Sequence, residues 1–268
     1  MSVLQAVLLG AVQGLTEFIP ISSSGHLVLV PASLGWESPA LAFDVLLHVA
    51  SLIALLVYFW GDLVSLVKGT LQGDAGSRRM AGLLAIGTVP AAIAGVVLGD
   101  YFEESFKDAK ATAWQLGITA VILVAGEQML RWHTKRSEAA ERELRSIDDL
   151  RWPDALWVGI AQAISIYPGI SRSGATISTG LALRVSRDDS ARFVFLLAIP
   201  ALFGAALVKL PDLAASSLGT GSAIGGFVSS LVFSYAAIAG LIRYLRTNTL
   251  YPFAVYCVVA GAIFYLIV

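Results

Sequence analysis

Charge, histidine and cysteine are all scarce in this chain, and each shortage removes a class of protein. Of 268 residues, 14% are charged and 57% apolar, with a mean hydropathy of +0.76. Soluble domains run near about 45–50% apolar and about 25% charged. A soluble core of this length could not hide so much apolar surface, so the solvent is a bilayer. The single cysteine, Cys257, lies in an apolar run, which excludes a disulfide framework and a thiolate metal cluster. It reads as a small packing residue. A net charge of −1 offers no basic footprint, and nucleic acid is not among the expected partners. No Lys or Arg precedes Lys68, so the opening segment lacks the basic region of a cleavable signal and is expected to belong to the mature fold.

What is present is apolar runs of membrane length. A spanning helix needs about 20 mostly apolar residues. Charge-free runs at 80–99, 213–242 and 247–268 are long enough, 42–60 and 111–130 span if Asp44, His48 and Glu127 lie near ends or face inward, and 193–210 makes a sixth. Two further regions, 3–35 and 155–183, are interrupted by Pro, Gly and Ser, and each reads as two half-length helices that enter the membrane and turn back. Non-helical backbone at that depth is tolerated only where protein or water covers it.

The interrupted regions resemble each other. Gly10 pairs with Gly159, Gln13 with Gln162, Ser22 with Ser171, Ser24 with Ser173 and Gly25 with Gly174, all at one offset. AAIAG recurs at 91–95 and 236–240, and VAG at 124–126 and 259–261, in the same order. The expected fold is therefore an all-α polytopic membrane protein of two inverted-topology repeats. The first occupies 1–131, with a re-entrant pair at 1–35 and spans near 42–60, 80–99 and 111–130. The second occupies 152–268, with a re-entrant pair at 155–185 and spans near 193–210, 223–242 and 249–268, six spans in total. A charged linker, 132–151, joins them. Its mixed charges at helical spacing read as a solvated helix or loop, and His133 there is assigned no chemistry.

Basic residues set the orientation. Segments 61–79, 131–153, 184–192 and 243–248 carry most of the Lys and Arg, and the opposite side receives only Lys107 and Lys110, with Lys209 near its boundary. The rich side is the cytoplasmic one. The linker is then cytoplasmic and both termini lie outside.

Two constellations could carry chemistry. The first is Gln13, Glu17, Ser22, Ser23, Ser24, Gly25 and His26. Gln13 and Glu17, four apart, share a helix face, Pro20 ends that helix, and a serine run opens the next. A carboxylate within the membrane is costly and functional by default, although Glu17 at headgroup depth beside capping serines is the plainer reading. The second is YPGISRSGAT at 167–176, where Pro168 and Gly169 turn the chain and Arg172 sits in an apolar region. A guanidinium there needs an anion: either Glu17, as a structural pair, or a phosphate held with Ser171, Ser173, Gly174 and Thr176. Each Ser-rich turn opens a half-helix, whose N-terminus attracts anions. Two such turns meeting across a pseudo-two-fold axis would suit a diphosphate. Asp44 and His48, one turn apart, either complete this pocket or serve a helix end.

EFIPISSSGH and PGISRSGAT, in this order within an apolar chain of this length, resemble the undecaprenyl-diphosphate phosphatase, or bacitracin-resistance, family. The likeness extends over essentially the whole chain, including FDVLLH at 43–48. It implies removal of the terminal phosphate of a polyprenyl diphosphate, which regenerates the lipid carrier for cell-wall precursors. It also implies a requirement for a divalent cation (Mg²⁺ or Ca²⁺), and a bacterial plasma-membrane protein, monomer or homodimer, whose site opens to the periplasmic side. The family's [E/Q]xxxE pattern maps onto Gln13 and Glu17 as candidate metal ligands. Its catalytic serine, histidine and arginine map onto Ser23, His26 and Arg172. Many members have two glutamates where this chain has Gln13 and Glu17. The motifs are also similar to those of the type-2 phosphatidic acid phosphatases, but no histidine follows His133, so that superfamily's downstream nucleophile has no counterpart.

On this reading Ser23 or His26 is the nucleophile, with Ser23 preferred. His26 would activate it, or else attack or protonate the leaving group. The rival is a lipid-carrier flippase or anion transporter on the same scaffold, which would have no need of a carboxylate beside the phosphate. The orientation has a direct check: a cysteine introduced in the 132–151 linker should be shielded from an impermeant thiol reagent in intact cells, whereas ready labelling would invert the topology.

Overall fold

A computed structural model describes every residue except 100, 102–104, 106–107, 139–143 and 215–217. Among the described residues there are eleven α-helices, one 3₁₀ turn (Ile147–Asp149) and no strand, only a single bridge pairing Arg145 with Val185. The helices are α1 Val3–Phe18, α2 Ser23–Ser33, α3 Leu41–Tyr58, α4 Trp60–Gln72, α5 Ala75–Val97 and α6 Ala109–Glu138. They continue as α7 Trp152–Ile164, α8 Arg172–Ala182, α9 Arg187–Ala214, α10 Thr220–Leu245 and α11 Tyr251–Ile267.

Helix length separates two kinds of element. Five helices are long and apolar enough to cross a membrane: α3, α5, α6 over Ala109–Lys135, α9 over Arg187–Lys209, and α10. The chain is thus a polytopic, all-helical membrane protein. The expected last span, 249–268, forms α11, whose 17 residues measure ~26 Å at 1.5 Å per residue. By contrast α2 and α8 have 11 residues each, ~17 Å, about half of a ~30 Å hydrocarbon core. Several helices outrun the apolar runs that announced them. α5 begins at Ala75, α9 at Arg187, and α6 continues through 132–138 into the charged linker. Apolar runs mark only the stretch in hydrocarbon, and backbone hydrogen bonding continues past it. The rest of the linker falls partly on 139–143, outside the described residues. The connection expected at 61–79 contains α4, which has no buried residue.

Packing places the short helices inside. α1 lies along α10, and α7 along α5, with glycine at each crossing: a Cβ at Gly10 would strike the Gly226 carbonyl, and one at Gly159 the Gly87 carbonyl. A Cβ at Gly14 would come within 2.6 Å of the Ser230 carbonyl oxygen. Close backbone approach through small residues is the usual membrane helix contact. Buried hydroxyls add to it, with Ser51 and Ser234 2.9 Å apart and Ser230 donating to the Leu47 carbonyl at 2.9 Å. Between α1 and α9, Phe18 meets Phe195 edge-to-face at 5.4 Å. Cys257 is fully buried, as its apolar surroundings in sequence suggest.

One buried ion pair ties three helices. Glu127 on α6 is fully buried, accepts from Arg187 Nε and Nη2 at 2.8 and 2.7 Å, and accepts the Leu250 amide at 2.9 Å. The pair joins α6, the start of α9 and the entry to α11. Before α7, Arg145 donates to both Asp154 oxygens at 3.2 and 2.5 Å, and the Arg151 amide adds a third bond at 2.7 Å. His133 donates from Nε2 to the Ala182 carbonyl at 2.9 Å, a structural tie between α6 and α8.

Two outcomes follow from these ties. Glu127→Ala leaves Arg187 and the Leu250 amide without their acceptor and should cost about 3 kcal/mol, read as a lowered unfolding midpoint in detergent. At Asp154, burial opposes the charged form, but the Arg145 and Arg151 hydrogen bonds outweigh it and hold the carboxyl below its ordinary range. Its stabilisation is therefore present above the unfolded value of about 3.9 and lost as pH falls through the lower folded value. Asp154→Asn should be less stable than wild type at pH 7, and the two should converge in strong acid.

Candidate active site

Local sequence shapes both turns in the same way. Pro20 stops α1, and Ser22 caps α2 by accepting the Gly25 amide at 3.2 Å. Pro168 and Gly169, the latter at φ +84°, turn the chain after α7, and Ser171 caps α8 by accepting the Gly174 amide at 3.1 Å. Ser22 and Ser24 hydroxyls are 3.3 Å apart, and Ser171 and Ser173 hydroxyls 3.2 Å apart. As in the first turn of any helix, the leading amides lack an intrahelical acceptor. In the first turn these are Ser23 and Ser24, in the second Arg172 and Ser173. One difference stands out: Ser22 has φ +72°, a left-handed value that costs a non-glycine residue about 1 kcal/mol, while Ser171 is ordinary.

The turns lie against each other. A Cβ at Gly25 would sit 3.1 Å from Gly169 Cα, so only glycine allows this approach without displacement, and Ser173 Oγ reaches the Ile19 carbonyl at 3.5 Å. Thr119, on α6, fastens the second turn from behind. Its hydroxyl donates to the Gly169 carbonyl at 2.8 Å and accepts the Ser171 amide at 2.9 Å. Nothing in the sequence around Thr119 announces this role, because both partners are backbone groups 50 or more residues away.

At the junction sits Glu17, 8% exposed. Its Oε2 accepts the Ser23 hydroxyl at 2.5 Å and Gln13 Nε2 at 3.0 Å, and lies 3.5 Å from His48 Nε2. Its Oε1 is 3.7 Å from Arg172 Nη1. Four helices thus converge on one carboxylate: α1, α2, α3 and α8. Gln13 and Ser23 are buried, whereas the Arg172 and His48 side chains are 29% and 28% exposed, so the carboxylate is approached from their side.

The remaining sequence candidates sit around this cluster. His26, 3% exposed, bonds through Nδ1 to the Ser22 carbonyl at 2.7 Å and through Nε2 to Tyr256 at 2.8 Å. Thr176, fully buried, donates to the Arg172 carbonyl at 2.6 Å, and so braces the backbone of the arginine. The Asp44 carbonyl accepts His48 Nδ1 at 2.8 Å, which leaves Nε2 aimed at Glu17, while Asp44 Oδ1 is buried without a partner.

A hard cation would find oxygen donors here. Gln13 Oε1 is buried without a hydrogen-bond partner beside the Glu17 carboxylate. Among the described residues no cluster of three His, Cys, Asp or Glu side chains could hold a metal. The donor set is therefore one carboxylate and one amide oxygen, which fits Mg²⁺ completed by substrate phosphate and water.

Fold and site together define a polytopic membrane protein in which a buried carboxylate at the end of one helix faces a serine and an arginine that open two abutting short helices, an arrangement suited to a phosphorylated ligand. A family model described as bacitracin resistance protein BacA matches residues 6–263, and the chain belongs to that family. Its relatives include the undecaprenyl-diphosphatase of Methanosphaera stadtmanae, 38% identical over 98% of this chain and 97% of the relative. The undecaprenyl-diphosphatase of Chlorobium phaeovibrioides is 38% identical over 100% and 97%, and that of Idiomarina loihiensis 36% over 100% and 99%.

Thr119→Val keeps the shape but removes both bonds to the second turn. It should lower activity on a phosphorylated lipid about tenfold, the cost of one net hydrogen bond, with the unfolding midpoint reporting separately on global stability.

Proposed function

We propose that this protein is an integral membrane phosphatase that hydrolyses the terminal phosphate of undecaprenyl diphosphate to the monophosphate, recycling the lipid carrier for cell-wall synthesis and conferring bacitracin resistance. The observation that carries the reading is the Ser23 hydroxyl donating to Glu17 with Arg172 alongside. Glu17 Oε2 accepts the Ser23 proton as Oγ attacks the terminal phosphorus. The bond to the bridging oxygen breaks, and the lipid monophosphate departs. Water then cleaves the phosphoserine, and Glu17 returns the proton to Oγ. Arg172 and the free amides of both helix N-termini stabilise charge on the transferred phosphoryl oxygens, the main demand of phosphoryl transfer. Glu17 and the Gln13 carbonyl would hold a divalent cation, which would supply neutralisation of phosphate charge.

The same reading includes the architecture: inverted halves at 1–131 and 152–268, with α11 as the sixth span. Support comes from matched pairs in matched places. Gln13 and Gln162 lie on α1 and α7, and Ser22 and Ser171 are both N-caps with the same amide acceptance. The linker is cytoplasmic, the termini are outside, and the site opens to the periplasmic face.

Protein purified in detergent, given polyprenyl diphosphate and Mg²⁺, should release phosphate, and a chelator should abolish release. Ser23→Ala, Glu17→Gln and Arg172→Ala should each lower kcat by about 10²-fold or more, the scale set by loss of one transition-state donor. Unchanged turnover in Arg172→Ala would sink the site assignment. No release from any prenyl diphosphate, with transport of the lipid intact in vesicles, would favour the flippase.

A further inference from the structure

His26 is three residues beyond Ser23 on α2, yet among the described hydrogen bonds neither ring nitrogen meets Ser23 or Glu17. The Ser22 carbonyl can only accept, so at 2.7 Å Nδ1 carries the proton. Neutral imidazole then has its lone pair on Nε2, where the Tyr256 hydroxyl donates at 2.8 Å. Imidazolium would reverse that bond and leave the phenol proton free to point elsewhere. In either state Tyr256 holds Nε2, and both hydrogen-bonding positions of the ring are taken.

The rings also pack. Those of His26 and Tyr256 are stacked, with centroids 5.7 Å apart and planes at 17°, and Phe264 meets His26 edge-on at 6.1 Å. Both aromatic partners lie on α11, at the opposite end of the chain from α2. Burial gives the pair a direction. His26 is 3% exposed and Tyr256 42%, so the phenol is the group of this pair that reaches the outer surface of the helix bundle. In a lipid diphosphate the phosphate that stays with the lipid must be the one nearer the bilayer. Glu17 and Ser23 face His48 on α3 and Arg172 on α8, whereas His26 faces Tyr256 and Phe264 on α11.

Resting on the phosphatase reading above, we propose that Tyr256 is a positioning residue. Its hydroxyl and ring hold His26 in one tautomer and orientation beside the lipid-side phosphate of the substrate, while Ser23 and Glu17 act on the terminal one.

The test uses the full chain in detergent with polyprenyl diphosphate and Mg²⁺. Tyr256→Phe keeps the stacked ring and removes only the hydroxyl, and should lower kcat about tenfold, equivalent to one hydrogen bond of about 1.4 kcal/mol. Because Tyr256 acts through His26, the double variant His26→Gln with Tyr256→Phe should be no slower than His26→Gln alone. Inhibition by added polyprenyl monophosphate should weaken in Tyr256→Phe, and inhibition by inorganic phosphate should not. Val259→Ala, one turn along the exposed face of α11, should match wild type. A fourth readout needs no turnover: the chain has three histidines, and in ¹⁵N-histidine spectra the His26 ring signals should move in Tyr256→Phe with those of His48 and His133 unmoved. Wild-type kcat in Tyr256→Phe, multiplicative losses in the double variant, equal weakening of both inhibitors, or unmoved His26 signals would each overturn the proposal. If no diphosphate is hydrolysed at all, the phosphatase reading fails, and the spectra still decide whether Tyr256 holds His26.

Discussion

The carboxylate of Glu17 is the constraint around which this molecule is arranged. An ionised carboxyl taken out of water is expensive unless it is paired and its lone pairs are filled. Here Ser23 and Gln13 fill Oε2, His48 stands beside it, and Arg172 faces Oε1, with each helper on a different stretch of chain. That requirement explains why the chain breaks between α1 and α2 and again between α7 and α8. A continuous helix has no free amides and no sharp turn to carry a serine and an arginine to the same point. Two Ser-rich turns, each opening a short helix, supply both.

Close approach of those turns rests on glycine. Gly25 lies on Gly169, and Gly10, Gly14 and Gly159 let α1 and α7 sink against α10 and α5. Side chains at these positions would push the short helices outward and separate Arg172 from Glu17. The Glu127–Arg187 pair, in turn, joins the long helices α6 and α9, and the Arg145–Asp154 tie fastens the segment before α7 to the first turn of that helix. The site is therefore framed by rigid elements, as a phosphoryl-transfer centre that works by positioning requires.

Much of this was legible in the chain. The apolar runs announced five of the spans, the serine and proline punctuation announced the two turns, and Glu17 and Arg172 stood out as charges within apolar stretches, which the structure brings to 3.7 Å. Helix ends were read short because hydropathy marks the hydrocarbon, not the hydrogen-bonded helix. Ser23 is paired with Glu17, whereas its nearness in sequence to His26 had suggested that partner. Three residues of separation leave the two side chains on one face of α2, but the His26 ring is bonded to the Ser22 carbonyl and Tyr256, and the turn after α1 brings Glu17 to Ser23.

By itself the sequence determined the solvent, the helical class, the positions of the turns and the residue types available for phosphate chemistry, because composition, periodicity and proline are local properties. Only the tertiary structure decided which groups face one another: Thr119 behind the second turn, Tyr256 on His26, and His48 on Glu17. Those contacts join residues far apart along the chain, and their partners are often backbone atoms or lone hydroxyls that carry no pattern in sequence. Helix crossing, set by glycine contacts and a few buried ion pairs, brings them together.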